Sequence, residues 1–540
     1  MAVKSFAILF IISSFAGGSG RQQAGAPKPV TELFVASDRC IACHNGLITA
    51  SGQDVSIGAN WQSSMMAHSS KDPYWQAAVR RETLDHPVAA AAIEHECAAC
   101  HMPMTRYAAK VSGRKGQVFG HLPVAPNAAG ADAFAVEGVS CTMCHQIQEE
   151  GLSTKESFTA GFVVDTQKPL GQRSVFGPYE VDTGRTRVMR SSAQVVPAQS
   201  KHVQGSDLCA SCHTLYTHAL GPDGEVIGEL PEQVPYLEWK HSAYADKRHC
   251  QSCHMPQLTH PMQISSVLGQ SREAFSRHVF RGGNFFMPAI LDRYRQELGV
   301  TARSEQLERA AEQTRDNLTG SSAKIEIAEV ERRGEQLQAD VRVVNLTGHK
   351  LPTAYPSRRA WIHLTVKDRE GQIVFESGAL RSDGSIAGND NDRDRTRFEP
   401  HYAEITKSEQ VQIYEAIMAD SKEEVTTGLL SAVRFIKDNR ILPRGFDKAT
   451  AHKDIAVRGA ASADEDFTDE RDTVHYVVSV GPAQGPLVVE AELWYQPIAF
   501  RWAQNLKQQP AAETDRFVSY YNSMSDESGI LMAKAMMAAE

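Results

Sequence analysis

Ten cysteines and five of the twenty histidines fall into one pattern, used five times between residues 40 and 254. The pattern is Cys-x-x-Cys-His. It occurs at Cys40/Cys43/His44, Cys97/Cys100/His101, Cys141/Cys144/His145, Cys209/Cys212/His213 and Cys250/Cys253/His254. Two thiols at this spacing can form thioethers with the two vinyl groups of one porphyrin, and the adjacent imidazole then lies beneath the ring, where it binds the iron. The spacing predicts five covalently attached haems c, with the ten cysteines as attachment points and the five motif histidines as proximal ligands. Competing chemistries fit less well. A redox dithiol has no need of His after its second Cys. Zinc sites built from paired C-x-x-C motifs require the pairs to combine, and five is odd. No cysteine is left over for a disulfide.

An iron that only carries electrons has a second axial ligand, usually His or Met. Ten further histidines precede residue 280, a surplus for five sites. His68 stands just before a helix start, His202 seven residues before Cys209, and His241 is placed similarly before Cys250. His278 neighbours a Gly-Gly that permits close approach, and His121 lies in VFGHLP. These five are the expected distal ligands of the first 300 residues. Farther on, His349 in NLTGHKLP is a sixth candidate, donated from the C-terminal region; an ordinary surface-loop histidine is the competing reading. In DGSIAGNDNDRDR, the alternating oxygens of Asp390, Asp392 and Asp394 suit Ca²⁺. Arginines are interleaved, however, and the EF-hand Gly and Glu are missing, so a solvated acidic loop fits the same residues.

The elements that must position these groups change character along the chain. Asp72-Pro73 is a helix start, Asp as N-cap and Pro in the first turn, leading into YWQAAVRRETLD. AAAAIEHE runs helically into the second motif, and SREAFSRH and EQLERAAEQTRDNL read as helices too. Beyond Gly320 the period shortens. AKIEIAEVERR, LQADVRVVNLTG, RRAWIHLTVKD, GQIVFESG, HYVVSV and LVVEAELWYQ alternate as strands, with a hairpin turn at residues 368–371. QIYEAIMAD and VTTGLLSAVRFIKDN read as inserted helices, and the end, with RFVSYY and ILMAKAMM, as a helix packing back. The expected fold class is α+β: a mainly helical and irregular haem domain over 30–300, a helical linker over 301–320, an antiparallel β-sandwich-like domain over 321–505 and a terminal helix over 510–540.

Lys4, then the apolar run SFAILFIISSFA and small residues, describe a secretory signal over 1–20. This agrees with haem attachment outside the cytoplasmic membrane and places the chain in the periplasm or at the cell surface. No later run reaches spanning length. The formal net charge of −9 disfavours nucleic acid and favours a basic patch on a redox partner, including a membrane-bound electron-transfer complex.

NWQSSMMAHSSKDPYW, ECAACHMPM, GVSCTMCHQI, LCASCHTLYT, EWKHSAY and CQSCHMP resemble multihaem cytochromes c of the cytochrome c-554 type over roughly residues 35–285. The resemblance implies largely bis-histidine irons, with His68, His202, His241 and His278 as distal ligands, and an electron-carrying role. The fifth motif and the long C-terminal region depart from that type. An enzyme with one open-site haem, acting on a small nitrogen or sulfur compound, is the alternative. All five motifs end in His, which counts against the multihaem nitrite reductase type with its lysine-ended motif.

Overall fold

The computed structural model describes residues 28–124, 128–482 and 485–539. The expected export signal lies outside the described residues. Among the described residues, no helix is long and apolar enough to cross a membrane.

The first half is helical turns joined by irregular chain. Helix α1 (Asp38–Ile41) opens the first motif, and α2 (Pro73–Asp85) is capped by Asp72, whose Oδ1 accepts from the amides of Tyr74 and Trp75. Helix α3 (Ala90–His101) ends in the second motif, α4 (Cys141–His145) is the third, and α5 (Ser206–His213) ends in the fourth. The short α6 (Pro235–Lys240) precedes the fifth, which is itself α7 (Cys250–His254). Two small strand pairs, 174–177 with 196–199 and 215–220 with 226–233, tie the loops between them. The segment expected as a helix around 271–278 instead forms a two-residue strand and turns. There the Phe275 carbonyl accepts from the Leu258 amide (2.9 Å), and His278 is free to face a motif histidine.

Helix α8 (Ser304–Ser321) connects the halves. The second half is a two-layer β structure. One sheet has the order β4-β3-β8-β9, from Ile373–Ser377, Arg359–Lys367, Leu487–Gln496 and Ile530–Ala539. The facing sheet includes β1 (Ala323–Arg333), β2 (Gln336–Asn345) and β7 (Arg471–Ser479), ordered β7-β2-β1. All of these neighbours pair antiparallel. Alternate residues of β2 are buried, as a sheet with one face on a core requires. The expected strands form.

Three expected helices do not. QIYEAIMAD and SAVRFIKD pair instead as β5 (Ala416–Asp420) and β6 (Ala432–Asp438), and ILMAKAMM is β9, paired along its length with β8. Ala, Met and Lys favour helix, but a partner strand with unpaired amides outweighs so weak a preference. Helix α9 (Ala512–Ser523) precedes β9 and packs on α2.

The two halves are not separate in packing. One apolar cluster runs from Tyr74, Trp75 and Phe286 of the first half to Val341, Leu364 and Leu493 of the sheets. Arg80 of α2 makes a two-pronged ion pair with Glu513 of α9 (2.9 and 3.0 Å), fixing their mutual rotation.

Candidate haem centres

Each motif occupies a helical turn. In such a turn the two cysteines stand three residues apart on one face, and the histidine follows just beyond. At the first motif the turn is closed by the amides of Cys43 and His44, both bonded to the Cys40 carbonyl (3.1 and 3.0 Å). At the third, Ser140 caps α4 by accepting from the Met143 amide. All ten thiols are free. Burial pushes the Cys97 thiol up, and the Cys144 thiol up to about 12. The thiols do not all follow: hydrogen bonding from Cys209 lowers Cys250 to about 7.

Cys253 departs from the other nine. The repeat makes all ten cysteines equivalent attachment points, but Cys253 is exposed, whereas the rest are partly covered. None of the residues of α7 is buried, as is also true of α1 at the first motif. Protein atoms still reach the Cys253 sulfur: Arg248 Nη2 donates to it at 3.5 Å. A thioether requires a vinyl carbon within bonding reach rather than an enclosed sulfur, so the chemistry expected of Cys253 is compatible with its position.

The motifs lie beside one another. Cys40 and Cys141 are within hydrogen-bonding reach, as are Cys100 and Cys212, and Cys209 and Cys250. Motif one therefore adjoins three, motif two adjoins four, and motif four adjoins five. Cys144 is near enough to Cys212 to feel its charge, so three and four are neighbours.

Four motif imidazoles are oriented by the same device. Nδ1 of His44 meets the Ile264 carbonyl at 2.5 Å, His101 that of Ser69 at 2.8 Å, His145 that of Phe176 at 2.6 Å and His254 that of Arg281 at 2.6 Å. A carbonyl accepts only, so Nδ1 carries the proton and the Nε2 lone pair is free for a metal. Burial holds His101 and His254 down to about 4, keeping both rings neutral at physiological pH. His213 is held low as well, by desolvation first and then by Arg358, although its ring is not covered by protein.

Two motif imidazoles face a second imidazole. His145 and His278 have ring centroids 6.3 Å apart with planes inclined by 20°; His254 and His349 are 6.3 Å apart at 19°. Metal–imidazole bonds are about 2 Å long, so two rings gripping one ion from opposite sides stand at about this separation. His278 and His349 each point Nδ1 toward a carbonyl, of Ser276 (3.2 Å) and Lys350 (3.0 Å), which again leaves Nε2 free. Desolvation pushes His278 down to about 3.

His68 is buried with neither ring nitrogen in a hydrogen bond, and desolvation pushes it down to about 3. It lines a cavity of about 500 Å³ together with Ile41 and Ala42 of the first motif, Trp61, Lys71 and Glu137. Its loop is tied to the approach to the third motif: the Val139 amide donates to the Met66 carbonyl (2.8 Å), and the Trp61 indole to the Val139 carbonyl (2.9 Å). A Cβ at Gly138 would meet the Met66 carbonyl at 2.5 Å, so this close approach depends on glycine. Two orphaned nitrogens cost free energy unless something binds them. A metal in the adjoining cavity is a group that fits.

The other expected ligands are differently placed. His202 is buried, but Nδ1 bonds Ser200 Oγ (2.7 Å) and Nε2 bonds the Ile147 carbonyl (2.9 Å), so neither nitrogen is free. Its ring packs edge-on against Phe176, whose carbonyl orients His145. His241 bonds the Asp447 carbonyl through Nε2 (2.9 Å) and packs on Phe446, at the boundary between the halves. His121 holds Asp132 through Nδ1 (2.7 Å) and is not one of the stacked pairs.

Asp390, Asp392 and Asp394 do not converge. Asp392 pairs with buried Arg359 (2.8 Å) and accepts from the Ile386 amide, Asp390 pairs with Arg397, and Asp394 accepts from Thr396. The interleaved sequence puts successive carboxylates on different sides of a short helical turn, each with its own partner. No calcium cage results.

Sequence reasoning passed over two features. Trp75 lies flat on His101, with centroids 4.4 Å apart and planes inclined by 1°. A Trp two positions after a Pro-initiated helix start gives no sign of this. The second is a buried cluster of His401, Asp464 and Asp472. Gln412 and Asn439 both donate to His401 Nδ1 (2.8 and 3.1 Å), and their own oxygens accept from the amides of Tyr402 and Glu415. Neither amide can flip, so Nδ1 accepts and Nε2–H donates to Asp464 (3.1 Å). A metal would need that Nε2 lone pair. The cluster is a structural network.

No family model and no curated protein matches the chain. Among solved structures, the crystal structure of a penta-heme cytochrome c552 from Thermochromatium tepidum is similar, with a TM-score of 0.51 and 16% identity. The match covers 95% of this chain and 100% of that chain, so the likeness in fold extends over both halves.

Proposed function

We propose that this chain is a pentahaem c-type cytochrome that carries electrons between redox partners in the periplasm or at the cell surface. The observation that carries the reading is the pair of facing imidazoles at His145–His278 and His254–His349, each set at the separation of two ligands on one metal. The likeness in fold to a penta-heme cytochrome supports it. Haem c supplies an iron centre that exchanges one electron, with a potential set by its axial ligands and surroundings.

The chain's own groups do the rest. The ten cysteines would hold five porphyrins through thioethers, and the five motif histidines would each ligate an iron. His278 and His349 would supply the second iron ligand at motifs three and five, and His68 would do so at the cavity it lines beside motif one. The side-by-side thiols keep neighbouring centres close, in the order one–three–four, with two and five flanking four. The net charge of −9 favours partners with a basic docking face.

EPR of the oxidised protein, with and without nitrite or hydroxylamine, is the test. The carrier reading expects low-spin signals unmoved by either compound. A high-spin signal of about one haem in five that shifts on addition overturns it in favour of the open-site oxidoreductase.

A further inference from the structure

His349 comes from the β half, yet it faces a motif histidine of the first half. Its position has to be set by whatever joins the two halves at that point. The join is built of charge. Lys350, next in sequence, is fully buried and pairs with Asp438 of β6 at 2.7 Å. Asp438 also receives both prongs of Arg440, Nε and Nη2, at 2.8 Å each. Arg440 then reaches across the boundary to Glu238 of α6 at 2.9 Å. Glu238 closes the ring by accepting from the Lys350 amide (3.1 Å) and from the Thr353 hydroxyl. All four side chains are buried, two of each sign.

The turn carrying His349 is seated on the same helix. A Cβ at Gly348 would lie 3.4 Å from the ring of Trp239, the neighbour of Glu238, and 3.6 Å from Tyr244. Asn345 donates to the His349 carbonyl (2.8 Å), and Leu351 and Ile441 exchange both backbone bonds (2.9 Å each). Glu238 is the first-half member of this arrangement. Removing one partner from a buried ion network leaves the others uncompensated, so the remaining charges move to find water or a new partner.

We propose that the ring Glu238–Arg440–Asp438–Lys350 is a positioning device that keeps His349 opposite His254, so that the β half sets the coordination of the fifth centre. This rests on the haem reading and on His349 as a ligand. Glu238 is a positioning residue; it acts through Lys350 and the turn.

The test uses the full-length, haem-loaded protein. Glu238→Gln keeps the shape and removes one charge. The expected result is unchanged haem content, loss of about one low-spin centre in five, and binding of about one CO per chain after reduction, as in His349→Ala. Arg440→Lys, which keeps the charge but loses the two-pronged geometry, gives the same change if Glu238→Gln does not accumulate. Glu513→Gln, which cuts the Arg80 link between the halves far from His349 in the chain, leaves the spin state alone. A wild-type spectrum and no CO binding in both Glu238→Gln and Arg440→Lys overturns the proposal. So does a high-spin centre in Glu513→Gln, which would mean general loosening. If His349→Ala itself stays fully low-spin, His349 is not a ligand, and that failure is distinct from a failure of the ring.

Discussion

At the residue scale, what separates a ligand from a structural histidine is which nitrogen the protein has already used. His145 and His278 spend Nδ1 on carbonyls and keep Nε2; His202 spends both. The two classes should respond differently to truncation. His278→Ala is expected to convert about one haem in five from low to high spin, read by EPR and by CO binding. His202→Ala should leave the spin state unchanged and lower stability by about 1–3 kcal/mol, because it strands the Ile147 carbonyl and the Ser200 hydroxyl, as a denaturation curve would show. A new high-spin signal in His202→Ala would reverse the assignment. The five motifs were fully legible in the chain, because five contiguous residues carry each signature. What a motif cannot carry is its own surroundings, and so Cys253 read the same as nine more sheltered cysteines. His278 and His349 were legible as candidates. His202 and His241 looked equivalent to them only because nearness to a Cys along the chain says nothing about where a side chain's hydrogen bonds go.

At the element scale, the legible parts were those where local signals and tertiary packing agree. Asp72-Pro73 starts α2 as expected, and the cap is formed: one carboxylate oxygen receives two amides, at 2.8 and 3.2 Å. Helix α2 then delivers Trp75 to His101 and Arg80 to Glu513. Removing the cap with Asp72→Ala should cost about 1 kcal/mol. Asp72→Asn, which keeps the accepting oxygen, should cost less, both being read as shifts in the thermal midpoint. Equal losses would show that the charge and not the cap matters. Burial pushes Asp72 up to about 6, so it caps as a carboxylate at neutral pH. The illegible elements were β5, β6 and β9. β5 and β9 are rich in Ala and Met, whereas β6 carries Val433, Phe435 and Ile436; β5 and β6 are strands because they pair with each other, and β9 because β8, farther back in the chain, offers unpaired amides. The continuous core joining the halves was hidden for the same reason. Tyr74 and Leu493 are both plainly apolar, but nothing local says that they share a cluster.

At the scale of the whole molecule, the buried network of the β half sets how stability depends on pH. Burial lowers His401 from 6.5 to about 4, and it raises Asp472 from 3.8 to about 7. For His401, the unfolded chain takes up a proton that the folded one refuses, so its contribution is present above about 6.5 and is lost as pH falls toward 4. For Asp472, the folded chain holds a proton that the unfolded one has given up, so its contribution is present below about 3.8 and is lost as pH rises toward 7. The two slopes oppose each other between about 4 and 6.5, and the native network is nearly flat there. Each full proton corresponds to about 1.4 kcal/mol per pH unit, so removing one partner unmasks at most about 3 kcal/mol across the window. Relative to the unsubstituted chain, Asp472→Asn should gain stability as pH rises from 4.5 to about 6.5, and His401→Gln should lose it, in urea titrations at several pH values. Slopes of the same sign in both variants would mean that the two groups do not compensate. Opposite slopes would show that the β half is built to hold its shape across mildly acidic pH.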